Sequence, residues 1–308
     1  MSSNDSSAIR EYYSGLPDDY EPRIHVGEVS AVRTVSDGML RVSIAGPDMA
    51  DYPTADVGDE YVRLYFPGDA PDPVWPFVAA RGWDYPDGAE PMEMRTYTIR
   101  AHRRGEVDID FVVHDGGVAA AWAAQAVPGL AVGITPPQPM YNRPEWARRQ
   151  ILVADEPALP AALRIVELTS HDVETIVIAE VRSEAHQLKA DSGDASYTWL
   201  RGSGNGHAPS SLVQALRRTD IDDATFVWVA AEARLTREAR KYLRHERKMA
   251  ADSYRVVGYW TDNGEEWTAR YEALGPEVHA HLQALYESDR DTEEIVDEVF
   301  RVYEAAGL

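Results

Sequence analysis

The 308-residue chain has no cysteine. That removes disulfides, thiolate zinc or iron–sulfur sites and thiol nucleophiles, and it fits a reducing compartment. Lysine is nearly as scarce: 3 of the 30 basic residues are Lys and 27 are Arg. Acidic residues number 52, so the net charge is 30 − 52 = −22, a surface field that repels phosphate backbones and anionic lipid. A nucleic-acid or membrane-surface role is therefore disfavoured. No stretch approaches the roughly eighteen apolar residues of a membrane-spanning helix. Residues 1–22 lack the apolar core of a secretion signal, and a soluble, cytoplasmic protein is expected. The nine histidines contain no His-Glu-x-x-His, and His279 and His281, two apart, point to different faces of a helix. No protein-bound metal is expected.

What is present is ordinary globular composition, 44% hydrophobic, in a chain long enough for two domains. Residues 1–22 read as a mobile arm. Over 23–140, the β-branched and aromatic runs 24–35, 39–45, 60–66, 95–102 and 107–114, separated by turn signals such as Ser36-Asp37-Gly38, predict an antiparallel β-barrel or sandwich. A loop rich in Pro, Gly and Asp, 68–91, interrupts them and carries Trp75, Phe77 and Trp83. An Ala-rich helix over 118–126 and a strand over 130–135 follow, then the stiff Pro136-Pro137-Gln138-Pro139 and a linker over 141–149. Beyond it, over 150–262, short apolar strands (150–154, 175–179, 196–200, 224–230, 254–259) alternate with helices (158–170, 210–218, 234–247), the pattern of a parallel α/β domain. The tail, 263–308, carries two amphipathic stripes, Val278/Leu282/Leu285/Tyr286 and Ile295/Val299/Val302/Tyr303, expected to dock within the chain. A monomer is expected.

The chemically informative stretch is Arg95-Thr96-Tyr97-Thr98-Ile99-Arg100. On a strand, Arg95 and Tyr97 share one face and Thr98 and Arg100 the other. A flavin needs a cation for its pyrophosphate, an aromatic plane and a small hydroxyl near its redox edge, and these residue types are all here. Shortly after, His114-Asp115-Gly116-Gly117 opens into the helix carrying Ala119, Ala120 and Trp122, offering unobstructed backbone N–H groups to an anion. Elsewhere Gly202-x-Gly204-x-Gly206 lacks dinucleotide spacing and reads as a flexible loop. Arg240, Lys241, Arg244, Arg247 and Lys248 form a basic helix face that is solvated or receives an adenine-nucleotide phosphate.

Together, Arg-x-Tyr-Thr-x-Arg, the strand 108–114 with its glycine turn, and Ala-x-x-Trp-Ala resemble the siderophore-interacting protein family of FAD-dependent ferric-siderophore reductases. Asp155-Glu156-Pro157-Ala158-Leu159-Pro160-Ala161, Trp228-Val229-Ala230-Ala231-Glu232-Ala233 and Gly258-Tyr259-Trp260 continue the resemblance in order. It implies a ferredoxin–NADP reductase-like architecture, a flavin barrel followed by a nicotinamide-type α/β domain. By matching position, it implies that Arg95 holds FAD phosphate, Tyr97 packs on the isoalloxazine and Thr98 bonds near its N5. His114, Gly117, Ala119, Ala120 and Trp122 then line the adenosine diphosphate, while Ala231 and Glu232 approach from the second domain. The flavin carries the chemistry, with no catalytic side chain. Electrons come from NADH, NADPH or a redox protein such as ferredoxin, and iron leaves the siderophore as Fe(II). The chain departs from the family pattern with Val118, Pro157 and Ala231 where Pro, Thr and Gly are usual. Pro137 and Thr261 stand at two usually basic substrate positions. That leaves Arg63, with Lys248 and Arg255 and also Arg143, to hold an anionic ferric siderophore. Another flavin reductase of this architecture and a non-catalytic siderophore-binding protein are the alternatives.

Overall fold

The computed structural model describes residues 13, 16, 17, 19–68, 70, 72–79, 82–114 and 116–308. The strands of the first half are β1 (His25–Ser36), β2 (Met39–Ala45), β3 (Glu60–Phe66), β4 (Phe77–Ala79), β5 (Gly82–Asp84), β6 (Glu93–Arg103), β7 (Glu106–Val112), β8 (Ala131–Ile134) and the two-residue β9 (Gln138–Pro139). One sheet runs β6-β7-β2-β1-β8-β3-β9, and β6 also pairs with β3, so six antiparallel strands close on themselves. Of barrel and sandwich, this is the barrel. Alternate residues point inward, and Val42, Ile44, Val62, Leu64, Ile99, Ile109, Phe111, Val132 and Ile134 fill the interior. Helix α1 (Val118–Gln125) plugs one end through Ala119 and Ala123, with Trp122 packed beside them.

The second half forms the parallel sheet β12-β11-β10-β13-β14 from β10 (Arg149–Ala154), β11 (Glu174–Val181), β12 (Ser196–Arg201), β13 (Thr225–Glu232) and β14 (Tyr254–Trp260). Helix α2 (Leu159–Leu168) lies on one face of this sheet with Trp228 and contacts β6 of the barrel. Helices α3 (Leu212–Arg218) and α4 (Ala233–Arg240) cover the opposite face. The expected helix over 234–247 is α-helical only to Arg240, then widens into a π-turn, Lys241–Glu246.

Four details differ from the sequence reading. Gln138–Pro139, expected as a stiff linker, pairs with Glu60 and Tyr61 as a short edge strand, a position Pro tolerates. The 68–91 loop contains the β4–β5 hairpin. Much of the expected mobile arm lies outside the described residues, but Tyr13 and Leu16 are buried with Tyr20, Val78 and Trp83. The tail has three helices, α5 (Gly264–Glu272), α6 (Pro276–Tyr286) and α7 (Thr292–Ala305). The additional one, α5, is polar overall and is anchored by Trp267 and Tyr271, which stack together and meet Tyr303 edge-on. The two predicted stripes bury against each other through Leu282, Leu285, Ile295 and Val299. Ion pairs from Arg240 and Arg244 to Glu293 and Asp297 fasten α7 to α4 and its π-turn.

Candidate functional site

β6 places the Arg95–Arg100 hexapeptide where the barrel meets the second sheet. Register pairs Arg95 with Leu64 and Tyr97 with Val62, so these two share the face that lines the barrel. The Tyr97 ring packs 4.4 Å from Phe111, Phe111 5.6 Å from Trp122, and Trp122 5.2 Å from Phe66. This aromatic row links β6, β7, α1 and β3. Burial pushes the Tyr97 hydroxyl well above its ordinary pKa, so it stays protonated. Arg95 remains half-exposed, bonded at 2.8 Å to Glu93, and keeps further N–H donors for another anion.

Beside this row the glycine turn opens. Gly116 and Gly117 have φ of +84° and +81°, a region where side chains strain the backbone, and a Cβ on Gly116 would meet nothing within 4 Å. The His114 ring lies next to Gly117; Asp115 lies outside the described residues. Gly117 caps α1 without a side-chain bond, leaving the first-turn N–H groups open. Trp122 Nε1 is buried with no hydrogen-bond partner, an orphan donor that a ligand acceptor would satisfy. Cation, aromatic surface, open helix N-terminus and orphan N–H fit the phosphate, ring and adenosine parts of FAD. Ala120 is half-buried at the rim, whereas Ala119 is turned into the barrel core and offers only its backbone.

Thr98 faces the other way and is nearly buried. Its Oγ1 donates to Tyr259 Oη at 3.2 Å, and Tyr259 Oη donates to Asp59 Oδ1 at 2.6 Å. Asp59 Oδ2 accepts from Trp228 Nε1 at 3.2 Å. Burial pushes the Asp59 carboxyl up to about 6 although both bonds pull the other way. This chain, together with Arg100 on Glu167 (2.6 and 2.7 Å) and Arg164 on Glu60 (2.8 Å) and on the Ile99 carbonyl (2.8 Å), joins barrel to sheet. His186, bonded to Glu156, packs on Gly38 of the β1–β2 turn and adds a second joint.

At the carboxyl edge of the parallel sheet, where such sheets bind ligands, Asp155 is buried. Its Oδ2 accepts from Trp260 Nε1 (2.7 Å) and Glu232 N (2.8 Å), and Oδ1 from Ala158 N. Burial pushes this carboxyl up to about 7 despite those bonds. Glu232 is committed as the cap of α4, accepting from Arg234 N and Leu235 N, and Ala231 beside it is fully buried.

The three cations assigned to a siderophore do not gather in one place. Arg63 sits on the outer face of β3, its N–H bonded to Thr135 Oγ1. Arg255 lies in the joint between the halves, with Nη2 3.8 Å from Met140 Sδ and a buried, unpartnered Nε. Lys248 follows the π-turn next to Met249, which packs on the sheet face that carries α3 and α4, away from the barrel. Lys248 is thus removed from the patch: the π-turn ends the helix and sends the chain back to the amino end of β14. Arg143 is spent on the Ala147 carbonyl at 2.5 Å. The joint residues Asp59, Arg164 and Tyr259 were missed by residue-type reasoning. The one signal was Tyr259, a polar group closing the apolar run Val256-Val257-Gly258; Asp59, between Gly58 and Glu60, carried none. Among the described residues no cluster of three or more His, Asp or Glu could hold a metal, and no helix is long and apolar enough to cross a membrane.

Residues 28–141 match the profile of the siderophore-interacting FAD-binding domain, and residues 147–263 that of the siderophore-interacting protein. A siderophore utilization protein from T. fusca superposes with a TM-score of 0.69 at 33% identity, covering 79% of this chain and 94% of that one. The NADPH-dependent ferric-chelate reductase of Escherichia coli is 29% identical over 75% of this chain and 91% of its own length. A ferredoxin reductase of carbazole 1,9a-dioxygenase shares the fold at 12% identity, with a TM-score of 0.58 over 79% of this chain and 70% of that one. The two halves thus make a flavoprotein of ferredoxin reductase-like architecture, an FAD-binding barrel followed by a parallel α/β domain. The chain belongs to the siderophore-interacting protein family.

Proposed function

We propose that the protein is an FAD-dependent ferric-siderophore reductase, drawing electrons from NADPH or NADH and releasing iron as Fe(II). The observation that carries this reading is the end of the barrel, where the Arg95 cation, the Tyr97–Phe111–Trp122 row and the open start of α1 converge. Bound FAD supplies the two-electron to one-electron conversion that reduction of Fe(III) by a pyridine nucleotide requires. Arg95 and the α1 N–H groups bind its phosphates, His114, Gly117, Ala120 and Trp122 line its adenosine side, and Tyr97 covers its ring. Thr98 orients the flavin edge while tied to Tyr259. Asp155 and Glu232 fix the carboxyl edge at which the donor docks. Arg63 and Arg255 are the cations for an anionic ferric siderophore, the substrate class named for the family; the protein works as a cytoplasmic monomer, with domains at 23–140 and 150–262.

The purified protein should be yellow and release FAD, not FMN, on denaturation, and NADPH or NADH should then reduce a ferric siderophore, read with an Fe(II) chelator. Arg95→Ala should weaken FAD about 10- to 100-fold, the worth of one charge-assisted phosphate contact. Protein that cannot be loaded with FAD, or unchanged affinity in that variant, would sink the reading.

A further inference from the structure

Away from the flavin barrel, the structure holds a cavity of about 520 Å³ between α4, its π-turn and the tail helix α7. The inner side of α4 packs Ala239, Tyr242 and Leu243 against the sheet face carrying Ile151, Val153 and Val229, whereas the barrel meets the opposite face through Trp228. The cavity therefore lies on the far side of the sheet from the candidate flavin groove. Arg234, Arg237 and Lys241, three and four residues apart, form one stripe along its wall, and Arg301 of α7 joins from the other side. In a chain of net charge −22 this concentration of cations stands out.

The ion pairs in this region divide into two groups. Arg240 and Arg244 are consumed by Glu293 and Asp297 and serve to dock α7. Among the described residues Arg234 and Lys241 have no ion-pair partner, and Arg237 bonds a main-chain oxygen of the last residue, Leu308, at 3.3 Å while lying 5.9 Å over the Phe300 ring. Arg240 is paired with Asp297 and Arg301 with Glu298, which leaves Arg234, Arg237 and Lys241 facing Glu238 and Glu304 in the cavity. The void is far larger than a lone phosphate needs and has the size of a small-molecule site. One end is apolar, with Phe300 and Leu308.

We propose that this α4–α7 cavity is a second anion site, which takes the phosphates of a nucleotide on Arg234, Arg237 and Lys241 and its base against Phe300 and Leu308. The tail supplies half of the wall, so the site exists only when α7 is docked. It is independent of the reductase reading.

The test uses the full chain loaded with FAD, with ATP and inorganic pyrophosphate as probes, in calorimetric titration at low and high salt. ATP should bind, more weakly as salt rises. Arg234→Gln with Lys241→Gln should weaken it at least tenfold without changing the flavin spectrum or the unliganded melting temperature. Phe300→Ala should weaken ATP and leave pyrophosphate unaffected. Absence of ATP binding at millimolar concentration, or binding undiminished in the double glutamine variant, overturns the site. Pyrophosphate binding as tightly as ATP, with Phe300→Ala inert, overturns the nucleotide assignment. Competition between ATP and NADPH would place ATP in the donor site and likewise overturn the proposal.

Discussion

The barrel and the parallel sheet bury carboxylates in opposite ways. In the barrel, Asp110 takes two bonds from Arg41 (2.6 and 2.8 Å), and Asp108 takes the Ser43 hydroxyl and the Arg103 guanidinium. Burial alone would push Asp108 up, but Arg103 and Ser43 outweigh it and hold its carboxyl below the ordinary range. In the parallel sheet, Asp155 meets only neutral N–H donors, and Glu180 is held by Ser203, Ser210 and the Ser211 N–H. Neutral donors satisfy lone pairs without compensating the buried charge, so Asp155 is driven upward. Full hydrogen bonding and charge compensation are thus separate conditions: Asp108 and Asp110 meet both, Asp155 only the first.

The contrast can be broken most severely at Asp110. Asp110→Ala leaves Arg41 buried without its partner, and urea unfolding should show a loss of about 3–5 kcal/mol. A loss under 1 kcal/mol would mean that the barrel does not depend on the pair.

The pH response should have opposite signs at Asp155 and at Asp108. The Asp155 carboxyl is raised from 3.8 to about 7, so the folded state binds its proton more tightly than the unfolded state does. Its contribution to stability is full below about pH 4, falls as pH rises, and is gone above about 7. Between pH 5 and 8 that loss amounts to about 3 kcal/mol. Asp59, raised to about 6, adds in the same direction. Asp108, held low, contributes above about pH 4 and loses that contribution only as acid protonates it. Unfolding free energies over this range should fall about 3 kcal/mol further in the native chain than in Asp155→Asn, where only the smaller Asp59 decline remains.

The smallest effect is expected at the joint. Tyr259→Phe removes the hydroxyl shared by Thr98 and Asp59, and should cost about 1–3 kcal/mol because a buried carboxylate loses a donor. Phe at this position with unchanged stability would show that the two halves are held without this hydroxyl, by the Arg100 and Arg164 pairs and the other contacts of the joint.

Much of this was legible beforehand. β-Branched and aromatic runs bounded by turn signals located five barrel strands to within two residues, and the alternation of short apolar strands with helices beyond residue 150 gave every strand of the parallel sheet, because both patterns report burial. The cation, ring and glycine turn of the flavin groove were readable because their residue types state their chemistry. The joint was not: Asp59 and Tyr259 are 200 residues apart, and no local pattern encodes such a pairing. Lys248 misled because the basic run 240–248 reads as one helix, and the π-turn that redirects it has no signature in composition. The helix α5 was hidden by its polarity, with only Trp267 and Tyr271 marking a buried side.

The long span between partners at the joint bears on how the chain is made. A ribosome adds about 5–20 residues per second, so Asp59 leaves it some 10–40 s before Tyr259 exists to bond it. Arg100 precedes Glu167 by 67 residues and waits about a third as long. For that interval a nascent barrel, already closed by β6 on β3, exposes polar groups that the finished protein hides. Its outer wall is therefore wet during synthesis and dries only when the last strand of the second sheet arrives.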